Sequence, residues 1–142
     1  MKLRVLWLCA ICLFAAGCSP PNARHPIAPD IDLRGVFDAP TDGARFQQPF
    51  AIGGWAISDD GIEWVGVYVD GEFLGYAKTG LSRPDVHGQY PEVKGSATSG
   101  WQFDAEPGLF TSGDHRITVD ACSKIGVIHS LGAKSIQIVH SR

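Results

Sequence analysis

Ile62-Glu63-Trp64-Val65-Gly66-Val67-Tyr68-Val69-Asp70-Gly71-Glu72-Phe73-Leu74-Gly75-Tyr76 is the stretch whose reading decides the fold. Two apolar runs flank Asp70-Gly71, and a type I′ turn needs positive φ at both of its central residues, which Asp-Gly tolerates. Side chains along a strand alternate between faces. Val65, Val67 and Val69 therefore share one face, and Trp64, Gly66, Tyr68 and Asp70 the other. The valines mark the core side. A two-residue turn sets Tyr68 opposite Phe73 and Gly66 opposite Gly75, which gives an outward face of Trp64, Tyr68 and Phe73 around two glycines.

The same short alternation recurs on both sides. Strands are predicted at Asp32–Phe37, Gln48–Ile57, Ile62–Val69, Glu72–Lys78, Trp101–Ala105, His115–Ser123 and Ser135–Val139, with a short extra strand near His129. No stretch sustains a helical apolar period, and turn residues such as Asp59-Asp60-Gly61 punctuate the runs. About seven short strands at this spacing predict an all-β fold, an antiparallel immunoglobulin-like β-sandwich.

The motifs have a family likeness. Gly54-Trp55-Ala56, Gly61-Ile62, Val67-x-Val69-Asp70-Gly71 and Gly75-x-Ala77 are followed by Arg83-Pro84-Asp85-Val86 and Tyr90-Pro91. Gly100-Trp101-x-Phe103 and Gly113-x-His115-x-Ile117-x-Val119-x-Ala121 complete the series. In this order, over Gly35 to Val139, they resemble a family of bacterial immunoglobulin-like domains. The resemblance implies a sandwich and a habit of binding; it places Trp55 and Trp101 at core positions. The chain departs from the family after Ala121, where Cys122-Ser123-Lys124-Ile125-Gly126 replaces a polar Asp-x-x-Gly turn.

Outside the sandwich the N-terminus is distinctive. Lys2 and Arg4 precede an apolar run, Val5 to Ala16, and Ala15-Ala16-Gly17 lead into Cys18. A charged start, a short apolar core and small residues make a secretory signal, and the run is shorter than the roughly 20 residues of a membrane-spanning helix. The cysteine after the small residues resembles the lipobox of bacterial lipoproteins. That likeness implies cleavage before Cys18 and lipidation of its sulfur. Ser19 follows in place of the aspartate that retains lipoproteins of enteric type at the inner membrane. The expected location is the cell envelope, lipid-anchored, at the outer membrane. Residues 1–17 are read as signal peptide, 18–30 as lipidated cysteine and tether, and 31–142 as the domain. The tether carries Pro20, Pro21, Pro26 and Pro29, a composition that favours extended polyproline II and a reach of ~35 Å.

Composition excludes several functions. Twelve basic residues face fifteen acidic ones, so no clustered basic face for nucleic acid is expected. Of four cysteines, Cys9 and Cys12 fall in the signal and Cys18 is taken by lipid. Cys122 is left as a buried small hydrophobe or a free thiol, with no disulfide partner. The five histidines His25, His87, His115, His129 and His140 show no zinc spacing. Asp59, Asp60, Glu63 and Asp85 carry hard oxygens but match no calcium loop. No metal or cofactor is expected, and neither a Gly-x-Ser-x-Gly elbow nor a phosphate-binding loop is present. The chain is read as non-enzymatic.

The candidate ligand-binding residues are Trp64, Tyr68 and Phe73 on the hairpin, with Arg83, Asp85 and Tyr90 in the long connection Thr79–Gly100. Exposed aromatics suit stacking on a sugar ring or contact with a partner's apolar surface. Alternatively the aromatics cover the strand glycines, or the long connection folds over them. In that connection a helical turn is predicted at Pro84–Gln89, with Ser82 and Asp85 as a capping box. Arg83 and Asp85 either pair structurally or face a ligand. The function read from these features is non-catalytic binding or a structural role at the envelope. A carbohydrate-binding module and an accessory subunit docking a larger envelope protein are the alternatives, so the partners are the membrane and an envelope protein or polysaccharide.

Overall fold

The computed structural model describes residues 33–140, so the expected signal peptide, Cys18 and the expected tether lie outside the described residues. Among the described residues, nine strands form two sheets. They are β1 (Arg34–Ala39), β2 (Ala44–Phe46), β3 (Phe50–Ile57), β4 (Ile62–Val69), β5 (Glu72–Tyr76), β6 (Lys78–Leu81), β7 (Gly100–Ala105), β8 (Gly113–Ser123) and β9 (Ile128–Ile138). A short helix, α1 (Pro84–Gln89), and two 3-10 turns complete the elements. One sheet runs β1-β3-β7-β6 and the other β2-β9-β8-β4-β5.

The expected sandwich is present, with more strands than the sequence revealed. β2 and β6 span three and four residues, too few for alternation to register. β6 also opens the connection that reads as strandless. The segment near His129 and the one at Ser135 are a single strand, β9. All pairings are antiparallel except one: β2 lies parallel to β9, with Ala44, Arg45 and Phe46 beside Ile136, Gln137 and Ile138.

The core follows the alternation of β4. Val65 and Val67 are fully buried, and they meet Ile117 and Val119 of β8, Ile52 of β3, Trp101 of β7 and Ile136 of β9. Burying each such side chain contributes about 1.5–3 kcal/mol. Cys122 is a buried free thiol. Trp101 occupies the core as the resemblance implies, but Trp55 does not. It lies half-buried on the outer face of its sheet, because Phe50, Ile52, Gly54 and Ala56 take the inner positions of β3. Where the chain leaves the family pattern, Ser123 closes the β8–β9 turn by accepting from the Gly126 and donating to the Val127 backbone at 2.9 Å each.

Candidate functional site: an aromatic ridge on the β4–β5 hairpin

Asp70 and Gly71 have φ of 51° and 88°, the left-handed geometry expected of this turn. Tyr68 stands opposite Phe73, as the turn predicts. One pair further the register slips. A bulge lets Leu74 and Gly75 occupy the space of one residue, so Val67 faces Gly75 and Gly66 faces Tyr76. The expected Gly66–Gly75 pair is therefore absent, and Gly75 turns inward against Phe103, where a Cβ would meet its ring at 2.8 Å.

The same bulge brings Tyr76, which strict alternation assigns to the core, onto the outer face. Trp64, Tyr68, Phe73 and Tyr76 form one chain of rings. Centroids are 5.6 Å apart for Trp64–Tyr76, 4.9 Å for Tyr76–Phe73 and 5.4 Å for Phe73–Tyr68. Adjacent rings are inclined by 56° to 63°. This is a corrugated ridge rather than the flat platform a single stacked sugar would prefer. Phe73 and Tyr76 are 51% and 62% exposed, while Trp64 and Tyr68 are half-buried because they lean over Gly66. A Cβ at Gly66 would sit 3.2 Å from Trp64 and 3.3 Å from Tyr68. Two members of the ridge thus cover backbone, and two present apolar surface to solvent.

The tip of the hairpin is anchored from β8. Asp70 accepts the Arg116 backbone N–H at 2.8 Å and the His115 Nδ1–H at 2.6 Å. The other ring nitrogen of His115 lies 2.9 Å from the Thr111 carbonyl. Both nitrogens face acceptors, which suits the imidazolium. The Asp70 hydrogen bond raises the His115 pKa above its usual value. The Arg116 amide, followed by His115, holds the Asp70 carboxyl below its own.

Arg83, Asp85 and Tyr90 are elsewhere. The long connection folds over the outer face of the other sheet and leaves the ridge uncovered. Arg83 donates from Nε and Nη2 to both carboxylate oxygens of Asp85 at 2.8 and 2.7 Å, and from Nη1 to Asp38 of β1 at 2.9 Å. Hydrogen bonding from Arg83 pulls the Asp85 pKa down to about 2. The tripartite pair pins α1 to β1. Ser82 does not cap the helix: the N-cap is Arg83, without a side-chain cap. Tyr90 packs on Trp55 at 5.8 Å, with the Arg34 guanidinium 5.4 Å from its ring. The six expected residues therefore divide into a ridge on one sheet and a clamp on the other. The clamp's groups are spent on each other. Among the described residues no three His, Cys, Asp or Glu side chains gather as metal ligands.

A family profile described as a bacterial Ig domain matches residues 36–119, from within β1 to within β8. The chain belongs to the bacterial Ig domain family. Solved structures similar to this bacterial Ig domain include the fibronectin(III)-like modules of Clostridium thermocellum CbhA, at 18% identity and a TM-score of 0.49 over 78% of this chain and 47% of that one. The endo-beta-1,4-mannanase of Thermotoga petrophila matches at 12% identity and a TM-score of 0.54, over 77% of this chain and 20% of that one. CopC from Methylosinus trichosporium OB3b matches at 13% identity and a TM-score of 0.44, over 77% of this chain and 97% of that one. The chain spans about half or less of the first two. At such identities the likeness concerns the fold alone. No curated protein matches the chain.

Proposed function

We propose that this bacterial Ig domain is a non-catalytic binding module, held at the outer membrane by a lipid on Cys18, that docks an envelope protein through its aromatic ridge. The observation that carries the reading is the exposure of Phe73 and Tyr76, the two middle rings of a four-ring chain on the outer face of the hairpin. Aromatic side chains are enriched at the centres of protein interfaces, where their large area is desolvated at low entropic cost. The inclination of the rings favours insertion between side chains of a partner over planar stacking on a polysaccharide. The N-terminal signal and the proline-rich tether support presentation at a membrane surface.

The test is co-sedimentation of the purified full chain with envelope preparations, before and after protease treatment of those preparations. Docking on a protein predicts saturable binding that protease removes and that Phe73→Ala/Tyr76→Ala abolishes in a folded domain. Binding that survives protease but is lost in that variant would instead assign the ridge to a polysaccharide.

A further inference from the structure

At one end of the sandwich three loops converge on a cavity of about 420 Å³. The β3–β4 turn supplies Ser58 to Gly61, the segment before β7 supplies Lys94, Gly95, Thr98 and Ser99, and the β8–β9 turn supplies Lys124. The walls are tied together by backbone. The Lys124 N–H donates to the Gly61 carbonyl at 3.0 Å, and the Ala56 N–H to the Ser99 carbonyl at 3.0 Å. The stem of Lys124 lies along Gly61, where a Cβ would meet its carbons at 3.4 and 3.5 Å. The volume falls in the range of small-molecule sites.

Its polar groups are unusual. The Ser58 hydroxyl and the Trp101 indole nitrogen are buried and lack a hydrogen-bond partner among the described residues. Both residues line this cavity, and both are at least 98% buried, at 1% and 2% exposure. Buried polar groups in native proteins are nearly always paired, so two orphans at one cavity mark a place where acceptors are wanted. The indole nitrogen can only donate, and the hydroxyl can do either. The lining also includes four exposed charged residues, Lys94, Lys124, Asp59 and Asp60. The floor is apolar, from Ala56, Ile62 and Val65.

We infer that this end of the sandwich binds a sugar acid, a small hydroxylated ligand bearing a carboxylate. The carboxylate meets Lys94 and Lys124, and hydroxyls donate to Asp59 and Asp60. Oxygens deeper in the cavity accept from Trp101 and Ser58, while the C–H face of the ring lies on the apolar floor. Both orphaned atoms are sealed in this conformation, so binding includes a small shift of the wall. Ser58, with a single χ angle, is the least costly place for it. This site is separate from the ridge, and its occupancy does not depend on the docking reading.

The test is titration of the 15N-labelled full chain with D-galacturonate and, in parallel, neutral D-galactose. The Trp101 indole N–H resonance is the readout, assigned by its loss in Trp101→Phe. The expected result is a saturable shift of that resonance and about tenfold tighter binding of the acid, the factor that one charge-assisted hydrogen bond supplies. Lys94→Ala/Lys124→Ala, at two exposed positions, is expected to erase the preference for the acid, and Ser58→Ala to weaken both sugars. Phe73→Ala/Tyr76→Ala is expected to leave the titration unchanged. The inference is overturned if the indole N–H does not move, if it shows contact with bound water only, if the responding indole is that of Trp64, or if the lysine pair is without effect.

Discussion

His115 Nδ1 lies 2.6 Å from Asp70 Oδ2, across 45 residues of sequence, and joins β8 to the tip of the aromatic hairpin. His115 is nearly enclosed and has a raised pKa, so its stabilisation is complete below the unfolded value of 6.5 and is lost as pH rises through the folded value. Asp70 has a lowered pKa, so its share is present above 3.8 and is lost as pH falls through the folded value. The pair is strongest between these limits. The stability difference between wild type and His115→Ala, measured by denaturant titration, should be larger at about pH 5.5 than at about pH 9. Asp70 is half exposed, so solvent screens the pair and its effect is modest. The His115 ring also lies 5.6 Å from that of Phe110, and a difference that does not change with pH would show that His115 acts through this packing alone.

Gly54, in the Gly-Trp-Ala motif, sits where a Cβ would come within 1.9 Å of the Val36 carbonyl oxygen and 2.8 Å of Trp101. The first neighbour is backbone and cannot rotate away. Gly54→Ala should therefore part β1 from β3 and cost about 1–3 kcal/mol or more, as overpacking does. Thermal melts beside Gly43→Ala, where nothing lies within 4 Å but φ is 77°, separate crowding from backbone strain. The Gly43 variant should cost only about 1 kcal/mol.

Opposite faces of one hairpin should respond differently. Val67 has no exposure, and Val67→Ala should lose about 2 kcal/mol through transfer and cavity terms. Phe73→Ala and Tyr76→Ala should each change stability by no more than about 1 kcal/mol. Urea titrations of the three variants check this. Loss of the fold in the Phe73 variant would mean that the ridge is structural.

Arg83→Ala should free α1 from β1 without unfolding the sandwich. Exposed ion pairs contribute about 0–1 kcal/mol each, so global stability should fall little. Amide exchange in residues 82–99 should accelerate while that of β4 and β8 holds. Equal acceleration everywhere would show that the clamp supports the whole fold.

Cys18→Ala should move the full chain from the membrane to the soluble or unprocessed fraction of the producing bacterium. Unchanged fractionation would refute lipid anchoring while leaving the domain's own properties untouched.

The legible parts of this protein were those governed by short-range rules. The Asp70-Gly71 turn fixes Tyr68 against Phe73, and alternation places Val65 and Val67 inside. Pro84 marks the start of α1 because its missing N–H costs nothing there. Beyond two residue pairs from the turn, legibility fails at the bulge. An extra residue in a ladder leaves no compositional mark, so Tyr76 is assigned to the wrong face and Gly75 to the wrong partner. The clamp is hidden for a different reason. Arg83 and Asp85 are near in sequence, but the third member, Asp38, is 45 positions away, and nothing local says which sheet the connection will cover. The cavity is the least legible of all, since its walls come from three turns that only the closed sandwich assembles.

The parallel contact between β2 and β9 has a mechanical consequence. Its three rungs are extended by the Gly43 N–H to the Ser135 carbonyl at 2.7 Å and the Val139 N–H to the Phe46 carbonyl at 2.9 Å. Lys134 adds bonds to the Asp38 and Pro40 carbonyls at 2.6 and 2.7 Å. Because the two strands point the same way, tension that pulls the two ends of the domain apart slides them along their length. Every rung is then loaded at once, where an antiparallel hairpin would open one bond at a time.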